Sequence, residues 1–541
     1  MSTNENPLPL VVQVGFAGSR DLFPPTLPDG FDPAVWEARI EARLIEELEG
    51  LREWLRLPEA RYFFCGISQI ATGGDTIFSR ACHAGNIPQR HFLPQAIEDY
   101  VRAVGSQGPD FTPEQADEAR RLNAEHSIHT RILGDAPARH SRFEEVNHEI
   151  VRVSDVVVCL FGPRDAGKRG GTADFRDMAL RRGRPVLEIR ISVHGADPDF
   201  EVIRHVPTNA EGEAVEFSRP ELPGWLEPML LGCPREEGGA PTMQACRDTV
   251  GRVAGELAGT YRRRFERGAV VIILAHLVAT LFAVVALKTE HLTLLLSLLA
   301  LEVVVLLGGF VTHVVVQVSR IASRWALVRC IREVEESLAA VGGFHLYPGY
   351  LFTLPFPESL RPLFRTFSVL HLKSTCAHRG EAWEEHRAHY VRERLTGSRR
   401  GQIEFFKRKA GEARSRVRLA NGIFRALSLL ALAATSIKLL SAGGLLPSCL
   451  PHGPGVAATL GILAVVLPVA AVGALSLAAS FDWEGRAHTF AEMREFLEGV
   501  RRPIEQATSE REFHFLATEI ETRLLGETAN WASRRSFHEP H

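Results

Sequence analysis

Four stretches of this chain are long and apolar enough to cross about 30 Å of hydrocarbon, which takes roughly 20 residues of helix. They run from Gly268 to Leu287, from Leu292 to Val316, within Leu419 to Leu446, and from Gly455 to Phe481. Soluble core helices rarely keep so few polar residues for so long, so the pattern predicts an integral membrane protein with two helical hairpins. Orientation follows from the flanks. Arg262, Arg263, Arg264 and Arg267 precede the first stretch, Arg320, Arg324 and Arg329 follow the second, and Arg414, Arg416 and Arg418 precede the third. The two loops between hairpin partners carry only Lys288 and no basic residue, respectively. The positive-inside rule then puts both loops outside and every soluble segment, both termini included, in the cytoplasm.

Average composition conceals this. The chain has 541 residues, 45% apolar and 23% charged, with a net charge of -3. Those values exclude a disordered chain, a collagen-like repeat or a disulfide scaffold, and they lack the basic excess of a nucleic-acid binder, so no nucleic-acid partner is expected. A mean hydropathy of -0.02 is high for so many charges and indicates apolar residues gathered in blocks. Eight cysteines occur with no C-x-x-C pair, which fits reduced thiols facing the cytosol and argues against structural zinc. The first nine residues have no basic and apolar leader pattern, so no cleavable signal peptide is expected.

The N-terminal part reads differently. Leu8 to Gly15 is a strand by composition and leads into Gly-Phe-Ala-Gly-Ser-Arg-Asp, Gly15 to Asp21. A second strand, Tyr62 to Ile67, precedes Ala-Thr-Gly-Gly-Asp, Ala71 to Asp75, at the start of a helix. A third, Val153 to Phe161, precedes Lys-Arg-Gly-Gly-Thr, Lys168 to Thr172, and another helix; Pro185 to Ile191 supplies a further strand. Strands alternating with helices predict an α/β, Rossmann-like parallel sheet, joined here to an all-α membrane domain with long cytosolic helices. In such sheets ligands sit beyond the carboxyl ends of the strands. Glycine there lets a phosphate approach the backbone, and the following helix offers free N–H groups. The candidate ligand-binding residues are therefore Gly15, Gly18, Ser19, Arg20, Gly73, Gly74, Asp75, Gly170, Gly171, Thr172 and Asp174. G-x-G-x-x-G is absent, so a nucleotide ligand rather than an NAD(P) redox cofactor is expected.

The domain layout expected is a nucleotide-binding domain over 1–219, a Pro/Gly-rich linker over 220–245, and a first hairpin module over 246–345. A linker with Pro348, Pro355, Pro357 and Pro362 follows over 346–375, then a second hairpin module over 376–541. Both hairpins share one layout: basic helix, span, short loop, span, helix. Within the spans His276 and Glu302 fall near mid-bilayer, where a carboxylate is costly and faces protein or water. They are expected to hydrogen-bond across the first hairpin or to line a pore.

In order along the chain, the Gly15-to-Leu22 motif, Ser68 to Asp75, Leu93-Pro94 with Asp99 and Tyr100, Ser154-Asp155 and Arg169 to Asp174 resemble the SLOG superfamily. This Rossmann-like group includes Lonely-guy phosphoribohydrolases, DNA-processing proteins and nucleotide sensors of bacterial conflict systems. The likeness covers Pro9 to Ile191. It departs at one position: the phosphoribohydrolases carry a catalytic Glu three residues after the threonine, where this chain has Phe175, and the nearest carboxylate is Asp174. The resemblance therefore implies ligand sensing more than catalysis. A membrane-anchored nucleoside-phosphate hydrolase, using Asp174, Asp177 or Glu144, is the alternative. Arg394, Leu395 and Phe406 before the second hairpin, and Phe490, Met493 and Leu497 after it, resemble SLATT two-transmembrane modules, and the first hairpin with its Trp325-to-Arg329 stretch looks like a divergent copy. Together these likenesses imply a homo-oligomeric effector in a bacterial inner membrane. It would answer a nucleotide or ADP-ribose-type signal in the cytosol, with a pore-forming role in anti-phage defence.

Overall fold

The computed structural model describes residues 8–27, 30–58, 61–105, 108–133, 139–164, 170–194, 197–208, 213–227, 243–376, 382–397, 401–442 and 454–536. Lys168, Arg169 and most of the 220–245 stretch lie outside these residues. The chain divides into two compact units, the first comprising Met1–Val250, Phe344–Pro348 and Glu358–Arg379, and the second the remainder.

The first unit is the expected α/β fold. Its seven-stranded sheet contains β1 (Leu10–Gly18), β2 (Tyr62–Ser68), β3 (Gln89–Leu93), β4 (Ser127–Ile132), β5 (Val156–Phe161), β6 (Val186–His194) and β7 (Asp197–His205), in the order β4-β3-β2-β1-β5-β6-β7. All neighbours run parallel except β6 and β7. β1 and β5 are buried along almost their whole length, as continuous apolar runs should be when helices cover both faces. β7 alternates half-buried and exposed residues, the signature of an edge strand with one wet face. The crossovers carry α1 (Pro33–Trp54), α2 (Gly74–Ala84), α3 (Pro113–Glu125), α4 (Arg139–Val153) and α5 (Thr172–Arg181). Local chemistry sets their starts. Asp32 caps α1 by accepting from Ala34 N, with Pro33 at the first helical position. Thr112 and Gln115 form a reciprocal capping box on α3.

The stretch expected to be a linker, 346–375, is structured, and all of it except Gly349–Pro357 belongs to this unit. Arg361–Thr375 forms a helix whose Pro362 sits in the first turn, where its missing N–H costs nothing. Leu363, Phe364, Phe367, Leu370 and Leu372 are all buried. Val11 N donates to Thr366 Oγ1 at 2.9 Å, and Arg365 donates to Asp155 at 2.8 Å; Asp155 also accepts from Gln13 N at 2.9 Å. Just upstream, Tyr347 stacks on His129 with ring centroids 4.5 Å apart, and His371 Nε2 lies 3.1 Å from Leu346 O. Prolines marked helix starts and turns here, not flexibility.

The second unit is helical. It continues α6 (Met243–Ala286) and contains α7 (Leu292–Val318) and α8 (Ile321–Ala340); α9 is the Arg361–Thr375 helix of the first unit. After Trp383–Tyr390, α10, come α11 (Gln402–Ala442), α12 (Pro454–Ser480), α13 (Trp483–Glu505) and α14 (Glu510–Ser536). Four of these helices are long and apolar enough to cross a membrane, those that carry the four stretches recognised in the sequence. Their outer surfaces are apolar and exposed, as at Phe310 (63%) and Leu432 (64%). Small residues seat the helices: a Cβ on Gly309 would lie 2.9 Å from Ala275 Cβ, and one on Gly268 would lie 2.8 Å from Val316 Cγ2. Ile273 reaches Gly473, bringing the first and fourth spans together.

The helical segments outside the apolar stretches hold a buried polar cluster. Arg394, in a π-helical turn over Val391–Thr396, donates twice to Glu521 at 2.9 and 2.7 Å, and Tyr390 Oη donates to the same carboxylate at 2.7 Å. Glu521 is fully buried, and burial pushes the Tyr390 phenol well up. Nearby, Arg329 pairs with Glu527 at 3.0 Å and lies over the Trp531 ring.

Candidate functional site

The order of the sheet reverses between β1 and β5, and the carboxyl ends of these strands carry the first and third glycine loops. The structure brings most of the expected residues to this edge, but gives the glycines unequal roles. Gly15 lies inside β1, not in the loop; a Cβ there would sit 2.3 Å from Ser154 Oγ, so this glycine lets the strand pack on the end of α4. Gly18 and Gly74 touch backbone to backbone, a Cβ on Gly18 meeting Gly74 Cα at 2.6 Å. Gly73 has φ +84°, and a Cβ would run into Arg20 O at 2.5 Å.

Hydrogen bonds close these two loops on each other. Gly74 N donates to Ser19 O at 3.0 Å, and Ser19 N donates to Leu160 O at 2.9 Å. Asp75 accepts from Gly18 N at 3.2 Å and Ala71 N at 3.1 Å. Its carboxyl is 4% exposed, and burial lifts its pKa to about 7 despite those two donors and the Arg20 charge. The first two glycine loops are therefore one zipped unit, with Asp75 as its clasp.

The third loop is held differently. Gly170 has φ +75°, its N–H donates to Asp174 at 3.1 Å, and its carbonyl accepts from Asn147 Nδ2 at 3.0 Å. Asn147 Oδ1 in turn accepts from Gln69 Nε2 at 2.6 Å. Gly171 is the residue before α5 and has no side-chain cap, and Thr172 is buried. Gln69 and Asn147, both buried, were not singled out from sequence; a polar pair 78 residues apart leaves no periodic signal. Next to Gln69, Ile70 is fully buried at φ +71°, a left-handed conformation that strongly disfavours a β-branched side chain. Such strain persists where the surroundings over-determine it, and it clusters at ligand sites.

Positive charge at this edge comes from Arg20, 3.6 Å from Asp110 and over the Phe143 ring, and from Arg142, which donates to Gln95 Oε1 at 3.3 Å. Phe175, where the resemblance would place a glutamate, is fully buried in the core beside Val157 and Met178. Asp174, the adjacent carboxylate, is engaged with Gly170 N.

No family model, curated protein or solved structure matches this chain.

In the membrane-type helices, His276 Nδ1 lies 2.8 Å from Ile272 O on its own helix, not against Glu302. The packing register explains why. Ala275 faces Gly309 and Gly268 faces Val316, seven residues on each helix. His276 is thus level with Gly308, and Glu302 lies six residues, about 9 Å, further along α7. Glu302 has no hydrogen bond or ion pair among the described residues.

Proposed function

We propose that the α/β unit binds a nucleotide-derived signal, such as an ADP-ribose-type molecule, at the edge formed by Ser19, Arg20, Gln69 and Gly170 to Thr172. Binding there controls a four-span membrane module. The observation that carries the reading is the buried chain Gln69–Asn147–Gly170 beside the strained Ile70. Buried polar groups are costly unless fully paired, and here they fix the one glycine loop that is not zipped to another. Arg20 and Arg142 supply charge for phosphate, and the uncapped start of α5 supplies N–H groups. The segment α9, drawn from between the hairpins into the α/β unit, supports a link between ligand state and membrane state. A ligand shifts that state only by binding one arrangement more tightly. In this reading the chain is a homo-oligomeric SLOG–SLATT-type effector of a bacterial inner membrane. Its termini lie in the cytoplasm, and its spans open in anti-phage defence.

The test uses full-length protein in liposomes loaded with a self-quenching dye. ADP-ribose and a panel of cyclic nucleotides are expected to release dye from wild type and not from Asn147→Leu. Absence of ligand-dependent release, together with no nucleotide recovered by mass spectrometry from denatured purified protein, overturns the reading. Turnover of nucleoside monophosphates in the same preparation would favour the hydrolase alternative.

A further inference from the structure

Four independent contacts fix the relative depth of the spans. Gly268 faces Val316 on α7, so Arg264, four residues earlier, is level with Arg320. Ile273 faces Gly473 on α12, so Arg264, nine residues earlier, is also level with Asp482. On the second hairpin Lys438 Nζ approaches Gly461, and twenty-two residues further down both helices Arg416 lies 5.9 Å from the Trp483 ring centroid. One plane therefore crosses the first helix of each hairpin and meets the end of the second. At that plane the second helix of each hairpin breaks, through Arg320 at φ 46° and Asp482 at φ 49°, and Trp483 stacks on Phe481 at 5.6 Å. Amphipathic tryptophan is characteristic of a bilayer interface.

The charge on this plane is predominantly positive, although Asp482 and Glu484 stand beside the second joint. Arg264, Arg267, Arg320, Arg414 and Arg418 are exposed, and none has a carboxylate within ion-pair distance among the described residues. Glu266, the one acidic neighbour on α6, is engaged by Arg262 at 2.7 Å. Elsewhere on these helices several arginines are paired along the helix, as in Arg332–Glu336, Arg494–Glu498 and Arg501–Glu505, while among the described residues Arg502 and Arg511 are not. What sets the belt apart is its position at the foot of the long apolar helices.

We infer that this belt is a docking surface for the phosphate groups of anionic phospholipids. Guanidinium groups bind phosphate in forked pairs, and each cation held at an anionic membrane surface adds to the attraction. Five such groups on one plane, bordered by exposed apolar helix on one side, match the headgroup layer of an anionic leaflet. The inference rests on the bilayer-spanning reading of the helices and not on the nucleotide reading.

The experiment reconstitutes full-length protein in vesicles of phosphatidylcholine alone and in equal mixtures of phosphatidylcholine and phosphatidylglycerol, then measures the lipids retained by the protein. Incorporation into pure phosphatidylcholine, resistant to alkaline carbonate, tests the spanning reading; without it the inference falls as well. In mixed vesicles, phosphatidylglycerol is expected to be enriched about fivefold among retained lipids. The enrichment drops to about unity in the Arg264→Gln, Arg320→Gln, Arg418→Gln variant. Should the triple variant misfold, the single Arg264→Gln and Arg418→Gln variants are expected to lower it stepwise, and salt raised from about 0.1 to about 0.5 M to erase it in wild type. Water-soluble glycerophosphoglycerol is expected not to compete; competition would indicate a site for a free anion and overturn the lipid surface. Equal retention of both lipids by wild type, or unchanged enrichment in the variants, overturns it too.

Discussion

Arg365 donates to Asp155 across 2.8 Å although 210 residues separate them. The carboxylate belongs to the turn entering β5, and the guanidinium to α9, which the chain inserts into the α/β unit between its two hairpins. Both partners are largely buried, and Asp155 also holds Gln13 N at the start of the central strand. Arg365→Ala is expected to cost about 2–4 kcal/mol, because it leaves a carboxylate buried without its cation. Thermal unfolding of the full chain measures it. Arg365→Met combined with Asp155→Asn should lose less than Arg365→Ala alone.

Asp75 makes the α/β unit sensitive to pH. An unfolded aspartate loses its proton near 3.8, whereas burial holds the folded one to about 7. Between those values the folded state binds more protons. The contribution of Asp75 is therefore full below about pH 4 and is lost as pH rises through 7. Asp75→Asn is expected to flatten this slope in melting temperature across pH 4–7; an unchanged slope would remove Asp75 as its source.

His371 acts in the opposite direction. Burial lowers its pKa to about 4, so acid must charge a ring lodged beneath Leu346 O. The unfolded state binds more protons between about 4 and 6.5, and stability present above 6.5 is lost as pH falls through that window. Hydrogen exchange of residues 361–375 should accelerate, relative to intrinsic rates, on acidification from pH 6 to 4. In His371→Gln the acceleration should disappear.

Glu521 is the acceptor for both Arg394 and Tyr390. Glu521→Leu should destabilise by about 3–5 kcal/mol, since it strands a buried guanidinium. Arg394→Met added to it should restore much of the loss. A double variant no better than the single one, in detergent melting curves, would show that the pair is not coupled.

Gly309 and Gly308 form a built-in comparison. Gly309→Leu meets Ala275 at once, while a Cβ on Gly308 has nothing within 4 Å. Gly309→Leu is expected to cost roughly 1–3 kcal/mol by overpacking and Gly308→Leu little. The melting temperatures of the two variants in one detergent decide it.

The membrane helices were legible because their signal is length and apolarity, which tertiary context barely alters. β1, β2, β5 and β6 were legible for a similar reason. β3 and β4 were not, because Gln89, Arg90 and His91 are buried polar residues with partners elsewhere: Gln89 reaches Ser79 O and His91 lies by Asn123. The glycine motifs located the loops at the carboxyl edge of the sheet, but composition could not tell which of the glycines pack against one another. Gly18 and Gly74 do so, whereas Gly15 packs on Ser154. Gln69, Asn147 and α9 escaped because each gains its meaning from contacts far along the chain.

The paired breaks at Arg320 and Asp482 have a wider consequence. Around them the chain lays out 44, 27 and 20 residues of helix, then 41, 27 and 23, so the two halves are built to one plan with the same left-handed joint at the same depth. A polypeptide of this kind is a covalent dimer of hairpins. A ring of such chains would need half as many subunits as one made of single hairpins, and within each chain the two joints are free to diverge in sequence, as Arg320 and Asp482 already have.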